Sequence, residues 1–137
     1  MIPTEIILHC SATPEGREVT AADIDRMHRQ RGFKKIGYHY FIRLDGTVEK
    51  GRQDWEVGAH CLKHNSKALG ICYAGGMTKD MKKPKDTRTP EQKEAMTELI
   101  KTLMKKYGIA KEKVYGHYMF ANKACPSFDV EEYREDL

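Results

Sequence analysis

At 137 residues the chain has the length of one domain with a core of its own, and residues 1–137 are expected to form a single unit. Charged residues at 32% and hydrophobic ones at 39% give the balance of a soluble globular protein. A net charge of +4 fits a mildly basic solvated surface or attraction to a polyanion, such as nucleic acid or an acidic cell-wall polymer. No Lys/Arg block with interleaved aromatics accompanies it, so nucleic-acid binding is not expected. The N-terminus lacks a basic region, and the apolar run at 6–8 is far too short for a signal peptide. No segment approaches membrane-spanning length, so the product is expected to be cytoplasmic as synthesised, and monomeric. Four cysteines without a secretory signal argue for free thiols or metal ligation rather than a disulfide framework.

In chain order, Glu5–Cys10 is an apolar run that predicts a buried strand. Thr20 with Asp23 makes a capping-box pattern for a helix ending near Gly32, with Ile24, Met27 and His28 at helical spacing. Residues 36–43 alternate and are rich in aromatic and branched side chains. Asp45-Gly46 then marks a hairpin turn into a return strand at 47–50. A loop carries Trp55, His60, His64 and Asn65, and another apolar run at 69–73 closes on Gly75 and Gly76. The clearest helix follows: Thr89 caps it, Pro90 takes the first position, and Gln92 completes a capping box. Met96, Leu99, Ile100, Leu103, Met104 and Tyr107 form its apolar stripe, and Gly108 ends it. Residues 114–117 predict a last short strand, and Asp129 with Glu132 opens a terminal helix. The order predicts an α/β fold, a single domain with a mixed central sheet flanked by helices.

Residues 117–129 pack His117, Lys123 and Cys125 into a short irregular segment. His117 and Cys125 are too far apart to share a helix face, so a loop must fold back to join them. Imidazole nitrogen and thiolate sulfur are both zinc ligands, and a catalytic zinc keeps three protein ligands with a fourth position open. His9 ends the first strand and His117 ends another, so both can converge on one rim of the sheet, where a loop-borne Cys125 closes the set. Of the remaining histidines, His28 reads as a partly buried or surface helix residue and His39 as a satisfied sheet histidine. His60 and His64 could line a groove. Cys10 and Cys72 read as buried small hydrophobes.

Three stretches, ILHCSAT at 7–13, GYHYFIRLDGTVEKGR at 37–52 and KACPSFD at 123–129, together resemble one family. VGAH at 57–60 and LGICYAGG at 69–76 fit the same pattern in the same order. The chain resembles, over roughly residues 5–133, the zinc-dependent N-acetylmuramoyl-L-alanine amidases of the phage-lysozyme and peptidoglycan-recognition-protein type. It is similar to the short single-domain phage endolysins. The resemblance implies one zinc ion on His9, His117 and Cys125, with Tyr38 and Lys123 as catalytic residues, and none of these positions departs from the family pattern. It also implies a mixed sheet with the metal at the floor of an open groove. Trp55, His60 and Asn65 are candidates for holding glycan or peptide.

The implied activity is bacteriolytic, the hydrolysis of the peptidoglycan amide between N-acetylmuramic acid and L-alanine, acting on the cell wall after release or export. No cell-wall-binding module is expected, so targeting would come from the groove or from net charge. Two other readings stand beside it: a non-catalytic peptidoglycan-recognition protein, and a lysozyme-like regulator of an intracellular partner. A binding-only protein could dispense with the cysteine ligand and the tyrosine, and this chain keeps both.

Overall fold

The computed structural model describes residues 1–137. Seven strands and three helices follow one another as β1 (Glu5–Cys10), β2 (Thr13–Pro14), α1 (Ala21–Gln30), β3 (Tyr40–Ile42), β4 (Val48–Lys50), β5 (Ala68–Tyr73), β6 (Gly76–Met77), α2 (Pro90–Tyr107), β7 (Val114–Gly116) and α3 (Val130–Tyr133). The main sheet has the order β4-β3-β5-β1-β7; β1 pairs in parallel with β5 and β7, β3 in parallel with β5, and only β4 runs antiparallel. All six residues of β1 and of β5 are buried, as a parallel strand covered on both faces requires. It is the mixed α/β sheet flanked by helices that the element order predicts.

Alternation along β1 assigns the two faces. Ile6, Leu8 and Cys10 join Leu69, Ile71 and Tyr73 of β5 in the larger core, which α2 covers with Met96, Ile100 and Leu103. The opposite face carries Ile7 and His9 beside Gly70 and Cys72, with His9 in register with Cys72. α1 covers only one end of that face, where Ile24 packs with Phe41, Cys72 and Ala74. The part beyond the helix is where a groove can open.

Both long helices begin as predicted. Thr20 and Thr89 each accept from the backbone N–H three residues on, and Asp23 and Gln92 return the bond to the cap. Within α1 the inward positions are Ile24 and His28, while Met27 faces outward at 43% exposure. Gln92 is fully buried, and its amide also donates to the carbonyls of Ile42, the last residue of β3, and Ala74, just past β5.

Two expectations are corrected and one pairing is added. The stretch 36–43 forms a strand only at Tyr40–Ile42, because His28 and Arg52 bind the backbone of residues 36–37 from the side. The strand expected at 114–117 stops at Gly116, and His117 opens a 3-10 turn, His117–Met119. The small parallel sheet of β2 and β6 has no counterpart in the sequence pattern, since two-residue strands carry no periodicity.

Candidate metal centre and groove

His9, at the C-terminal end of β1, is 1% exposed. His117 follows directly on β7, one residue past the Leu8–Gly116 pair just as His9 is on the neighbouring β1, and its ring centroid lies 4.6 Å from that of His9. Cys125 arrives on the loop that folds back after the 3-10 turn. Four bonds hold that loop down: the Tyr118 amide donates to the Cys125 carbonyl at 2.9 Å, the Tyr73 hydroxyl to Pro126 at 2.6 Å, the Ser127 hydroxyl to Gly76 at 3.0 Å, and the Cys10 amide to the Cys125 sulfur at 3.2 Å. The donor atoms of His9, His117 and Cys125 all lie within 4.8 Å of one another. The Cys125 sulfur is 3.8 Å from His9 Nδ1, and two donors on tetrahedral bonds of about 2.0–2.3 Å stand roughly 3.5 Å apart.

The protonation chemistry of the three groups suits a cation. Burial, then the neighbouring His60, His117 and Lys123, push the His9 imidazole well below its ordinary value, and burial followed by Lys123 pushes His117 down. Both rings are therefore neutral with a lone pair to give. The Cys10 thiol beside it and burial push the Cys125 thiol up. That thiolate forms only when a cation replaces its proton, and of the two sulfurs Cys125 is the one that shares a centre with both imidazoles. Two neutral imidazoles and one thiolate are a donor set for zinc.

Beside the centre lies a groove of about 440 Å³ whose lining includes Tyr38, His60, His117 and Lys123. Tyr38 is half-buried, with its ring 5.0 Å from that of His9. Burial, then the Cys72, Cys125 and Cys10 sulfurs, push its phenol well above the ordinary value, so it stays protonated near neutrality. Lys123 is exposed and also lines the groove, close enough to His9 and His117 to act on both electrostatically. Arg31 and Phe33 from the end of α1, and Leu62 and Phe120 from the loops, complete the walls.

The three groove candidates separate. Trp55 is 68% exposed and does not line the groove; its carbonyl accepts from the N-terminal ammonium of Met1 at 2.7 Å. Asn65 lines the groove, but its Oδ1 is committed to the amides of His60 and Cys61 at 2.8 and 2.9 Å, which closes the turn of its own loop. His60 lies along the groove and is buried, with both ring nitrogens bonded inside the protein. His64 pairs with Glu5 at 2.9 Å and stacks on Phe120. His39 is a satisfied histidine as expected, bonded to the Gly70 amide and the Glu56 carbonyl.

His28 has a part that sequence reasoning missed. Its Nδ1 accepts from the Gly37 amide at 2.9 Å, and its ring packs 5.3 Å from that of Tyr38, so α1 fixes both backbone and ring of the tyrosine segment. The available signal was its position four residues after Ile24, on the buried face of α1.

A mixed sheet with a His–His–Cys cluster at the edge of an open groove defines the class as an α/β domain with a candidate metal centre. The chain belongs to the N-acetylmuramoyl-L-alanine amidase family, whose profile matches residues 1–128. It is 38% identical over 130 residues to the endolysin of Escherichia phage T7, covering 95% of this chain and 84% of that protein. Among solved structures it is similar to the N-acetylmuramoyl-L-alanine amidase LysC from Clostridium intestinale URNW, with a TM-score of 0.84 and 32% identity over 98% of this chain and 85% of the other. A mutant of Drosophila PGRP-LB in complex with tracheal cytotoxin is similar at a TM-score of 0.77 and 27% identity, over 92% and 76% of the two chains.

Proposed function

We propose that this chain is an endolysin-like amidase that hydrolyses the bond between the lactyl group of N-acetylmuramic acid and the first L-alanine of the peptidoglycan stem, with one zinc ion on His9, His117 and Cys125. The observation that carries this reading is the meeting of those three donors, from β1, the end of β7 and the C-terminal loop, at the edge of a groove that also holds Tyr38 and Lys123. His9, His117 and Cys125 would hold the zinc, which would supply Lewis acidity and make a bound nucleophile available near neutral pH.

The chain's own residues do the rest. Tyr38, kept protonated, donates a hydrogen bond to the oxygen on which charge develops as the amide carbon becomes tetrahedral. The Lys123 ammonium, lining the same groove, stabilises the same charge. Phe33, Leu62 and Phe120 offer apolar walls to an extended glycopeptide, and Arg31 offers a cation to its carboxylates. No helix is long and apolar enough to cross a membrane, and action on the wall would follow release or export.

The test is mass spectrometry of muropeptides after digestion of purified peptidoglycan, with and without a chelator. Free stem peptides beginning with alanine are expected, with release abolished by chelation and restored by zinc. Glycan or inter-peptide cleavage, or undiminished release from protein shown to be metal-free by elemental analysis, would overturn the assignment.

A further inference from the structure

We infer that His60 is a positioning residue for the metal ligand His9, fixing the proton on His9 Nε2 so that Nδ1 faces the metal, and is not a substrate contact. The inference rests on the zinc reading above and adds to it how the first ligand is oriented. Nε2 of His60 lies 3.1 Å from the carbonyl of Ala68, and a carbonyl only accepts, so that nitrogen carries the proton. In the neutral ring the other nitrogen, Nδ1, is then a bare acceptor. It lies 2.9 Å from His9 Nε2, which must donate. With both rings neutral, no other placement of the two protons satisfies both contacts. His9 Nδ1 is left as the lone pair, and that nitrogen is the one 3.8 Å from the Cys125 sulfur.

The surroundings of His60 are shaped to hold this ring. A side chain on Gly70 would place its Cβ 2.7 Å from the ring carbons, and one on Gly58 would come within 2.6 Å of Cδ2 and 2.9 Å of His39 Cε1. The ring stands edge-on to His9, with interplanar angle 89° and centroids 4.9 Å apart. The Asn65 side chain pins its backbone amide at 2.8 Å. Ring, neighbour and loop are thus fixed from three directions before any ligand arrives. A metal-bound imidazole whose far N–H is held by such a partner loses no orientational freedom on binding, and removing a partner of this kind lowers metal affinity about 10- to 100-fold.

Two measurements test this independently of catalysis. Long-range proton–nitrogen NMR on the metal-free wild-type protein reads the His9 tautomer; the expected result is a proton on Nε2, and a proton on Nδ1 overturns the inference. Zinc affinity by competition with a chromophoric chelator should fall about 10- to 100-fold in His60→Ala. It should recover in part in His60→Gln, whose amide can accept and donate in the same two directions. Unchanged affinity in a folded His60→Ala protein, with a raised KM for muropeptide, overturns it in favour of substrate contact. Should His60→Ala fail to fold, the wild-type tautomer decides. A wild-type chain that binds no zinc defeats the proposed function, whereas the tautomer tests the relay by itself.

Discussion

At the scale of the residue, the site works by setting protons. His9 and His117 are kept neutral by burial and by the charges around them, and Tyr38 is kept protonated by burial among sulfurs. A phenol held in that form donates a hydrogen bond and does not serve as a general base at neutral pH. Tyr38→Phe should therefore lower kcat about 100- to 1,000-fold, the loss of one oxyanion donor. Zinc affinity should not change, since the hydroxyl is no ligand. Muropeptide release and chelator competition on the same preparation check both halves. Lys123→Ala should behave alike in kcat, and the two single losses should not simply add, because both groups face one developing charge.

These roles were unevenly legible. Ligand chemistry is a property of side-chain type, so His9, His117 and Cys125 could be chosen before any coordinates existed. Trp55, His60 and Asn65 share a loop, and only the fold reveals that the first lies outside the groove lining, the second is bonded inward, and the third has its oxygen spent on its own turn.

At the scale of the element, α2 is the piece most completely written in local sequence: Thr89, Pro90, Gln92 and Gly108 mark both ends within four residue types. Gln92 does more than cap, since its amide also satisfies the carbonyls of Ile42 and Ala74. Gln92→Ala should cost about 1–3 kcal/mol, because the buried Ala74 carbonyl is orphaned along with the cap, while the Ile42 carbonyl keeps the Ala74 amide. Thr89→Ala should cost about 1 kcal/mol, though its hydroxyl also reaches the Leu44 carbonyl. Urea midpoints at constant m-value measure both.

A second tie between elements makes a pH prediction. Asp54 accepts from Tyr40, from Tyr107 at the end of α2 and from Lys50 at the end of β4. Burial alone would push this carboxyl up, but the bonds from Lys50, Tyr107 and Tyr40 outweigh it and hold it at about 2. The folded value lies below the unfolded one, so the stabilisation is present in full above about pH 4 and is lost as pH falls through about 2. The Asp54 side chain is only 13% exposed, which supports a contribution of about 2 kcal/mol. The stability gap between wild type and Asp54→Asn should narrow as pH falls from about 4 to about 2, and a constant gap across that window would contradict this account.

At the scale of the whole molecule, the centre joins the beginning of the chain to its end. The proposed ligands come from β1, the turn after β7 and the C-terminal loop, so an ion bound there would close long loops that the unfolded chain leaves open. Zinc at 1,000 times its dissociation constant adds about 4 kcal/mol to the folded state. Thermal unfolding should therefore shift upward by roughly 5–15 °C. Cys125→Ser should lose most of that shift, and calorimetry with and without zinc measures it. An equal shift in both proteins would place the stabilising ion elsewhere.

The sequence by itself determined the element types, the mixed sheet and the long capped helix, and it singled out the three proposed donors, because periodicity, capping and ligand chemistry are local or belong to single side chains. The tertiary structure decided where β3 begins, that β2 and β6 pair, which loop residues line the groove, and that His60 sits against His9 Nε2. Each of these depends on a hydrogen bond or a packed ring contributed from a distant part of the chain, and no local pattern carries a partner it does not contain.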